Sequence, residues 1–233
     1  MLKKYFRDWL ARRLQVPRID FALERLRASG FSPSKIFDVG AYEGDFAQTC
    51  LHIWPTSQLV CFEVQPEPLK RLRLNTNPNR VKVFECLLGA ETRPSVSLYM
   101  AETASSVLIE NAAPQAQSAE FAMRTIDEVI ANDLGGETPA LLKLDVQGYE
   151  LEILKGAKQT LLKSEAVLAE VNLLDIHKNA PLLHELVTWF AERRWVAFDI
   201  CGLTRRPLDH ALWQADLIFI PIDSPLRSDK RWT

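Results

Sequence analysis

Three acidic residues each close a short apolar run of the sequence: Asp38, Glu63 and Asp145. Apolar runs of this length, bounded by turn residues, predict buried strands. In an open parallel sheet, ligands bind beyond the carboxyl ends of the strands. The sequence therefore predicts that these three carboxylates face one crevice, where they can accept hydrogen bonds from hydroxyl groups or attract a cation.

The stretch Ile36–Glu63 contains two of these acids and predicts a strand, a tight loop, a helix and a second strand. Gly40 and Gly44 belong to the loop, and the helix is predicted from Asp45 to about Trp54. Glu63 follows Gly44 by about 20 residues, where an acid at the end of the second strand can accept both hydroxyls of a ribose. The pattern is typical of a βαβ unit that holds a nucleoside.

The spacing of the loop glycines indicates which nucleoside fits. Dinucleotide sites use GxGxxG, because a pyrophosphate must approach bare backbone at a helix N-terminus. This loop is GxxxG with Tyr42 and Glu43 inside it, and the absence of a GK[ST] triplet excludes a P-loop. An acidic loop without Lys or Arg favours a cationic ligand such as S-adenosylmethionine, which carries a sulfonium and an ammonium. We expect loop N–H groups to meet its carboxylate.

Several longer segments resemble a known family. DVGAYEG and FEVQPEPLKRLRLN resemble the first two motifs of class I S-adenosylmethionine-dependent methyltransferases. LLKLDVQGYELEILKGA is similar to the hallmark segment of the FkbM family within that class, and MRTIDEVI and VLAEVN stand where that family has comparable segments. The resemblance covers roughly Lys35–Ile220, and Tyr42 departs from it, since the family more often has Asn there.

The resemblance implies an α/β fold that is Rossmann-like and doubly wound. Its seven-stranded sheet would be mostly parallel with one antiparallel strand, and helices would cover both faces. It also implies O-methyl transfer from S-adenosylmethionine to a hydroxyl of a sugar, glycolipid or secondary metabolite. We assign Gly40–Gly44 to the methionine end of the cofactor, Glu63 to the ribose and Cys86–Leu88 to the adenine. The residues predicted to bind the cofactor are Asp38, Gly40, Ala41, Tyr42, Gly44, Glu63, Val64, Gln65, Cys86, Leu87 and Asp145.

A hydroxyl acceptor needs help to lose its proton, because an alcohol is a poor nucleophile at neutral pH. The candidate catalytic residues are Asp145, His177 and Glu170; of four histidines, His177 alone lies in a predicted active-site loop. An exposed loop histidine is the alternative for His177. A metal-assisted variant is equally open, in which Asp145 and Glu170, with Asn172 nearby, hold Mg²⁺ through oxygen ligands.

Two further charged residues lie near these candidates. Lys143 precedes Asp145 by two positions, so both side chains point to the same side of the strand predicted at Ala140–Asp145. A lysine within a buried strand needs a partner, and Asp145 or a cofactor-side carboxylate is predicted. Glu150 begins the helix predicted over Tyr149–Leu162, and we interpret it as structural because it complements the helix dipole.

We expect the chain to divide into an N-terminal helical segment at 1–34, a methyltransferase domain at 35–222, as the resemblance implies, and a polar tail at 223–233. Residues 1–18 predict a basic amphipathic helix. We favour packing of its apolar stripe against the domain, and weak contact with a membrane surface through residues 1–18 is the alternative. Leu87–Met100 predicts two paired extended segments, and residues 101–122 predict a mobile substrate loop in which Ser105 and Ser106 could bind a polyol. The apolar stripe is formed by Leu2, Tyr5, Phe6, Trp9, Leu10 and Leu14.

Composition excludes several classes of protein. With 28 Lys and Arg against 30 Asp and Glu, the formal charge of −2 gives no general attraction to nucleic acid. Four scattered cysteines without a CxxC pair indicate reduced thiols. No 18-residue apolar stretch or signal-peptide pattern is visible, so we expect a soluble cytoplasmic protein with a small-molecule or glycan acceptor. The oligomeric state is not predicted.

Two other functions remain as alternatives. A nicotinamide-dependent oxidoreductase could use a similar βαβ unit, but the loop lacks the middle glycine of GxGxxG. The basic first helix is also compatible with a non-catalytic module that binds a cofactor or a membrane surface.

Overall fold

The computed structural model of the chain describes residues 2–100, 105–111 and 117–232, with side chains described from residue 6 onward. In these parts of the chain, every helix is too short or too polar to cross a membrane. The described strands are β1 Lys35–Val39, β2 Gln58–Phe62, β3 Val81–Phe84, β4 Leu87–Leu88, β5 Arg93–Tyr99, β6 Ser118–Arg124, β7 Leu141–Leu144, β8 Ala166–Asn172, β9 Trp195–Arg205 and β10 Leu212–Pro221. The described helices are α1 Leu2–Arg13, α2 Ile19–Ala28, α3 Asp45–Ile53, α4 Pro66–Asn75, α5 Ile126–Asp133, α6 Glu150–Lys155, α7 Lys158–Leu161 and α8 Leu183–Ala191, with a 3₁₀ turn at Pro225–Arg227.

Seven strands form one sheet in the order β3-β2-β1-β7-β8-β10-β9. All neighbours are parallel except at β10, which runs antiparallel to both β8 and β9. Apolar clusters cover both faces, because alternate residues of a strand point to opposite sides. Phe37 and Val39 pack in one cluster and Ile36 in the other. The predicted fold class is confirmed.

The strand order reverses between β1 and β7, and this point positions the site. β1 and β7 are adjacent in register, with Val39 beside Leu144, so the loops that leave them lie side by side. Gly40 makes this close approach possible: its φ is +74°, and a Cβ there would lie 1.9 Å from the carbonyl oxygen of Asp145. A side chain at this position would push the two loops apart.

A second, three-stranded sheet has the order β4-β6-β5 and corrects two predictions. The two extended segments in Leu87–Met100 do not pair with each other, because β6 lies between them, parallel to β4 and antiparallel to β5. The predicted loop at 101–122 therefore ends in a strand. Residues 101–104 and 112–116 of that loop lie outside the described residues.

The helix predicted over Tyr149–Leu162 is broken into α6 and α7. The break falls at Gly156, where a Cβ would lie 2.1 Å from the carbonyl oxygen of Gly89. α7 then begins as a separate helix whose first N–H groups are capped by a distant side chain. The Asp127 carboxylate accepts hydrogen bonds from the backbone N–H groups of Gln159, at 2.8 Å, and Thr160, at 2.9 Å.

The orientation of α1 is opposite to the one we favoured from the sequence. The helix forms as predicted, but Phe6, Trp9 and Leu14 are 63%, 56% and 65% exposed. The helix contacts the domain through charged residues instead, among them Arg12, whose guanidinium binds the Glu24 carboxylate at 2.6 Å. The apolar stripe, as far as it is described, therefore faces away from the core.

Candidate active site

A cavity of about 220 Å³ lies at the carboxyl ends of β1, β2 and β7. Its upper wall comes from β5 of the small sheet and from the segment that follows β5, through Leu98, Ser105 and Val107. Most of the residues predicted to bind a cofactor line this cavity, namely Gly40, Tyr42, Glu63, Val64, Gln65, Cys86, Leu87 and Asp145.

Three predicted cofactor residues do not line the cavity. Asp38 lies within β1 rather than at its end, and its side chain is fully buried below the loop. Ala41 is buried in the apolar cluster that contains α3, and Gly44 is the N-cap of α3 with φ +95°. These three residues shape the loop from beneath instead of facing the cavity.

Glu63 is fixed in the cavity by backbone hydrogen bonds. One carboxylate oxygen accepts from the N–H groups of Val64 and Gln65, both at 2.8 Å, and the other accepts from Tyr42 N–H at 2.9 Å. Burial raises the pKa of Glu63, and these hydrogen bonds oppose the shift. A carboxylate held in this way presents its remaining lone pair to a hydroxyl donor such as those of a ribose.

The N–H groups of the glycine loop are largely used within the protein. Gly40 and Ala41 donate to the Phe62 carbonyl at 3.1 Å, and Gly44 donates to the Ala41 carbonyl at 2.9 Å. Tyr42, whose φ is +48°, donates to Glu63. The prediction that loop N–H groups meet a cofactor carboxylate therefore fails for these four residues, because the loop is bonded to β2 and to itself.

Lys143 lies under the loop between two acids, as the strand parity predicted for Asp145. Its Nζ is 3.2 Å from the Asp145 carboxylate, 3.1 Å from that of Asp38 and 3.3 Å from the Gly40 carbonyl oxygen. Burial alone would lower the pKa of Lys143, but the charges of Asp145 and Asp38 outweigh it and the pKa is raised. The lysine therefore joins the glycine loop to the end of β7 as a cation.

The three predicted catalytic residues are not all brought together. Asp145 lines the cavity, with its side chain 36% exposed. Glu170 is buried beside it, and His177 is buried against the Glu110 backbone; neither lines the cavity. The alternative of an exposed His177 is also wrong. Burial and the charge of Asp145 raise the pKa of Glu170 well above its usual range.

Gln147 connects Asp145 to Glu170, and the sequence analysis missed it. Its Nε2 donates to Glu170 at 2.9 Å and to Asp145 at 3.3 Å, and it lines the cavity at φ +57°. Ser105 also lines the cavity and donates to the Gln65 side chain at 2.8 Å, whereas Ser106 is buried and donates to the Gln147 carbonyl. A Gln before Gly148 signalled only a turn.

The oxygen atoms proposed for Mg²⁺ do not form an open ligand set. A Glu170 oxygen accepts from both Gln147 and Gln214, the latter at 2.6 Å, and the Asn172 oxygen accepts from Gln214 at 3.3 Å. Amide donors thus occupy the positions that a cation would need. Within the described ranges, no group of three His, Cys, Asp or Glu side chains is arranged to hold a metal ion.

Glu150 has the structural role predicted for it, and it should make stability depend on pH. It accepts from the N–H groups of Val146, at 2.9 Å, and Gly148, at 3.2 Å. Burial raises its pKa to about 7. A carboxyl whose pKa is raised by folding stabilises the fold below its unfolded pKa of about 4, and that contribution is lost as the pH rises towards 7.

We therefore expect the free energy of unfolding to fall between about pH 5 and pH 8, and Glu150→Gln to remove roughly 2–3 kcal/mol of that fall while keeping an acceptor oxygen. Urea unfolding at several pH values measures this. Glu152→Gln, at a partly exposed position of the same helix, should leave the slope unchanged. Stability that is flat with pH in the unmodified protein would contradict the assignment.

The fold resembles those of solved methyltransferases. A methyltransferase FkbM from Methylobacillus flagellatus KT superposes with a TM-score of 0.53 at 21% identity, over 80% of this chain and 43% of that one. Magnesium protoporphyrin IX methyltransferase (ChlM) from Synechocystis PCC 6803, solved with bound SAM, gives a TM-score of 0.52 at 8% identity, over 87% of this chain and 78% of that one.

The chain belongs to the FkbM methyltransferase domain family, whose profile matches residues 38–195. It is also similar to the 2-O-methyltransferase NoeI of Sinorhizobium fredii (strain NBRC 101917 / NGR234), with 28% identity over 160 residues. That alignment covers 61% of this chain and 65% of NoeI. The chain thus spans less than two thirds of the length of NoeI and of the Methylobacillus protein.

Proposed function

We propose that this methyltransferase uses S-adenosylmethionine and transfers the methyl group to a hydroxyl of a sugar, glycolipid or secondary metabolite. The observation that carries the proposal is the cavity at the β1–β7 reversal, with the fixed carboxylate of Glu63 and the open carboxylate of Asp145 in its wall. The name of the similar protein NoeI, a 2-O-methyltransferase, supports a hydroxyl as acceptor.

The residues present fit this cofactor chemically. Glu63 is oriented to accept hydrogen bonds from the ribose, and Cys86 and Leu87 supply an apolar wall for the adenine. The carboxylate of Asp145 suits the positive charges of the ligand. S-adenosylmethionine supplies an electrophilic methyl group, so the chain mainly has to hold the acceptor oxygen in line with it.

Asp145 is the residue that we expect to take the proton of the acceptor hydroxyl. It is the one of the three catalytic candidates that faces the cavity, and Lys143 and Gln147 hold its carboxylate from two sides. Glu170 lies behind Gln147 and acts by positioning it.

Calorimetric titration with S-adenosylmethionine and separately with NAD tests the cofactor. Micromolar binding of S-adenosylmethionine, together with no heat from NAD, supports the proposal. Release of S-adenosylhomocysteine in the presence of saccharide or glycolipid acceptors then identifies the acceptor class. Binding of NAD alone would change the assignment to an oxidoreductase. If neither S-adenosylmethionine nor NAD binds, the proposed function is contradicted.

Asp145→Asn is expected to lower the rate of methyl transfer at least 100-fold, because general-base catalysis typically contributes about 10² to 10⁴. Because the same carboxylate faces the positive charges of the cofactor, the rate is measured at saturating S-adenosylmethionine, where it reports turnover rather than binding. Asp175→Asn, an exposed position in the loop after β8, is the matched control and should retain full activity. Near-normal turnover in Asp145→Asn would remove the base role while leaving the cofactor assignment standing.

A further inference from the structure

The first helix is attached to the domain by its polar side. Asp8 accepts a hydrogen bond from Arg18 at 2.7 Å, and Arg12 binds Glu24 through both guanidinium nitrogens at 2.6 and 3.0 Å. The Arg12 guanidinium also lies 4.1 Å from the centre of the Phe21 ring. Amphipathic helices of globular proteins normally turn their apolar stripe to the core, so this attachment is inverted.

The outward side of the helix, which we call the α1 face, carries aromatic and aliphatic side chains. It consists of Phe6, Trp9, Leu10 and Leu14, exposed by 63%, 56%, 38% and 65%. The rings of Phe6 and Trp9 stack with their centres 5.9 Å apart. An exposed apolar patch of this kind on a helix marks a surface that binds another protein or a membrane.

The charges beside the α1 face indicate which of these it binds. Residues 1–18 contain six basic residues and one acid, and that acid, Asp8, is already paired with Arg18. Arg7 and Arg13 are exposed, and the Arg13 guanidinium lies 6.0 Å from the centre of the Trp9 ring. Aromatic rings next to arginines are typical of helices that lie in the interface of a bilayer.

A second copy of the chain fits this face less well. An isologous contact would place the same helix against itself and bring like charges of Arg7 and Arg13 together. An anionic lipid surface pairs with those charges instead, because its negative potential attracts basic residues that lie near it. We propose that the α1 face binds the interface of membranes that contain anionic lipids.

Flotation of the full chain with lipid vesicles tests this proposal without any need for methyl transfer. We expect binding to phosphatidylcholine vesicles with roughly 30% phosphatidylglycerol, weaker binding to pure phosphatidylcholine, and loss of binding at high salt. The double variant Phe6→Ser/Trp9→Ser should bind at least 10-fold more weakly, because it removes two rings from the buried area. Arg7→Glu/Arg13→Glu should lose the preference for anionic vesicles.

The matched control is Leu74→Ser/Leu208→Ser, which changes two apolar side chains elsewhere that are even more exposed and should bind like the unmodified protein. The exposed positions of all these residues predict unchanged unfolding midpoints, which checks that the variants fold. No binding to either vesicle, or equal binding by Phe6→Ser/Trp9→Ser, overturns the proposal. Light scattering that shows a dimer abolished by the same variant also overturns it and assigns the face to a second copy.

Discussion

Lys143→Met should lower the free energy of unfolding by about 3–5 kcal/mol at neutral pH, the cost of removing one partner from a buried ion pair. Lys143 is buried, and it neutralises Asp38, which is fully buried as well. Asp145 reaches solvent and can be hydrated when the lysine is gone, whereas Asp38 cannot. Urea unfolding at fixed pH measures the loss.

The variant Asp38→Asn/Lys143→Met provides the control, because it removes both buried charges. We expect it to recover at least half of the lost stability, and the Asp38→Asn single variant completes the cycle that gives the coupling energy between the two positions. The way in which the stability loss of Lys143→Met changes with pH provides a second test. Burial raises the pKa of Asp38, so without Lys143 the folded protein takes up a proton near this site. The deficit of Lys143→Met should therefore be smallest below about pH 4 and grow towards neutral pH. A loss under about 1 kcal/mol that does not change with pH would contradict the ion-pair account.

Glu63→Gln should weaken the binding of S-adenosylmethionine at least 30-fold, which is about 2 kcal/mol. Both Glu63 oxygens accept backbone N–H groups, from Val64 and Gln65 on one side and Tyr42 on the other. A glutamine in either orientation places its own NH₂ against at least one of these donors. The side chain must then turn away from the place where we expect the ribose.

Calorimetry on folded protein measures this loss, with thermal unfolding as the check of structure. Glu67→Gln removes the same charge from an exposed position close by and should change the affinity by less than about 2-fold if the loss comes from hydrogen bonding rather than charge. An affinity of Glu63→Gln within about 3-fold of the original would refute the ribose assignment.

The strands that position the site were predictable because each one is a short apolar run followed by an acid or a turn. β1, β2 and β7 were located in this way, and with them the positions of Glu63 and Asp145. The placement of Asp38 in the cavity was not supported, since β1 continues to Val39. A residue one position before the strand end points into a packed layer, which the sequence alone does not show.

Other features depend on contacts between distant parts of the chain. Gln214 reaches Glu170 because β10 inserts antiparallel beside β8, with Gln214 opposite Asn172. No local sequence pattern predicts such a contact. β6 was missed for a different reason, although Ala119, Phe121 and Met123 do alternate with more exposed residues. Its small and charged residues weaken the alternation of apolar and polar side chains by which a strand is predicted. The strands that pair with it and stabilise it come from elsewhere in the sequence.

The lower and upper walls of the cavity belong to two sheets that are hydrogen-bonded separately. The lower wall belongs to the seven-stranded sheet, and the position of Leu98 in the upper wall depends on the pairing of β5 with β6. Substitutions in β5 and β6 leave the register of β1, β2 and β7 untouched, so the shape of the acceptor side can diverge independently of the cofactor side. This modular construction would let one scaffold be retargeted to new acceptors by changes in β5 and β6 alone, because Leu87 of β4, which we assign to the adenine, is kept.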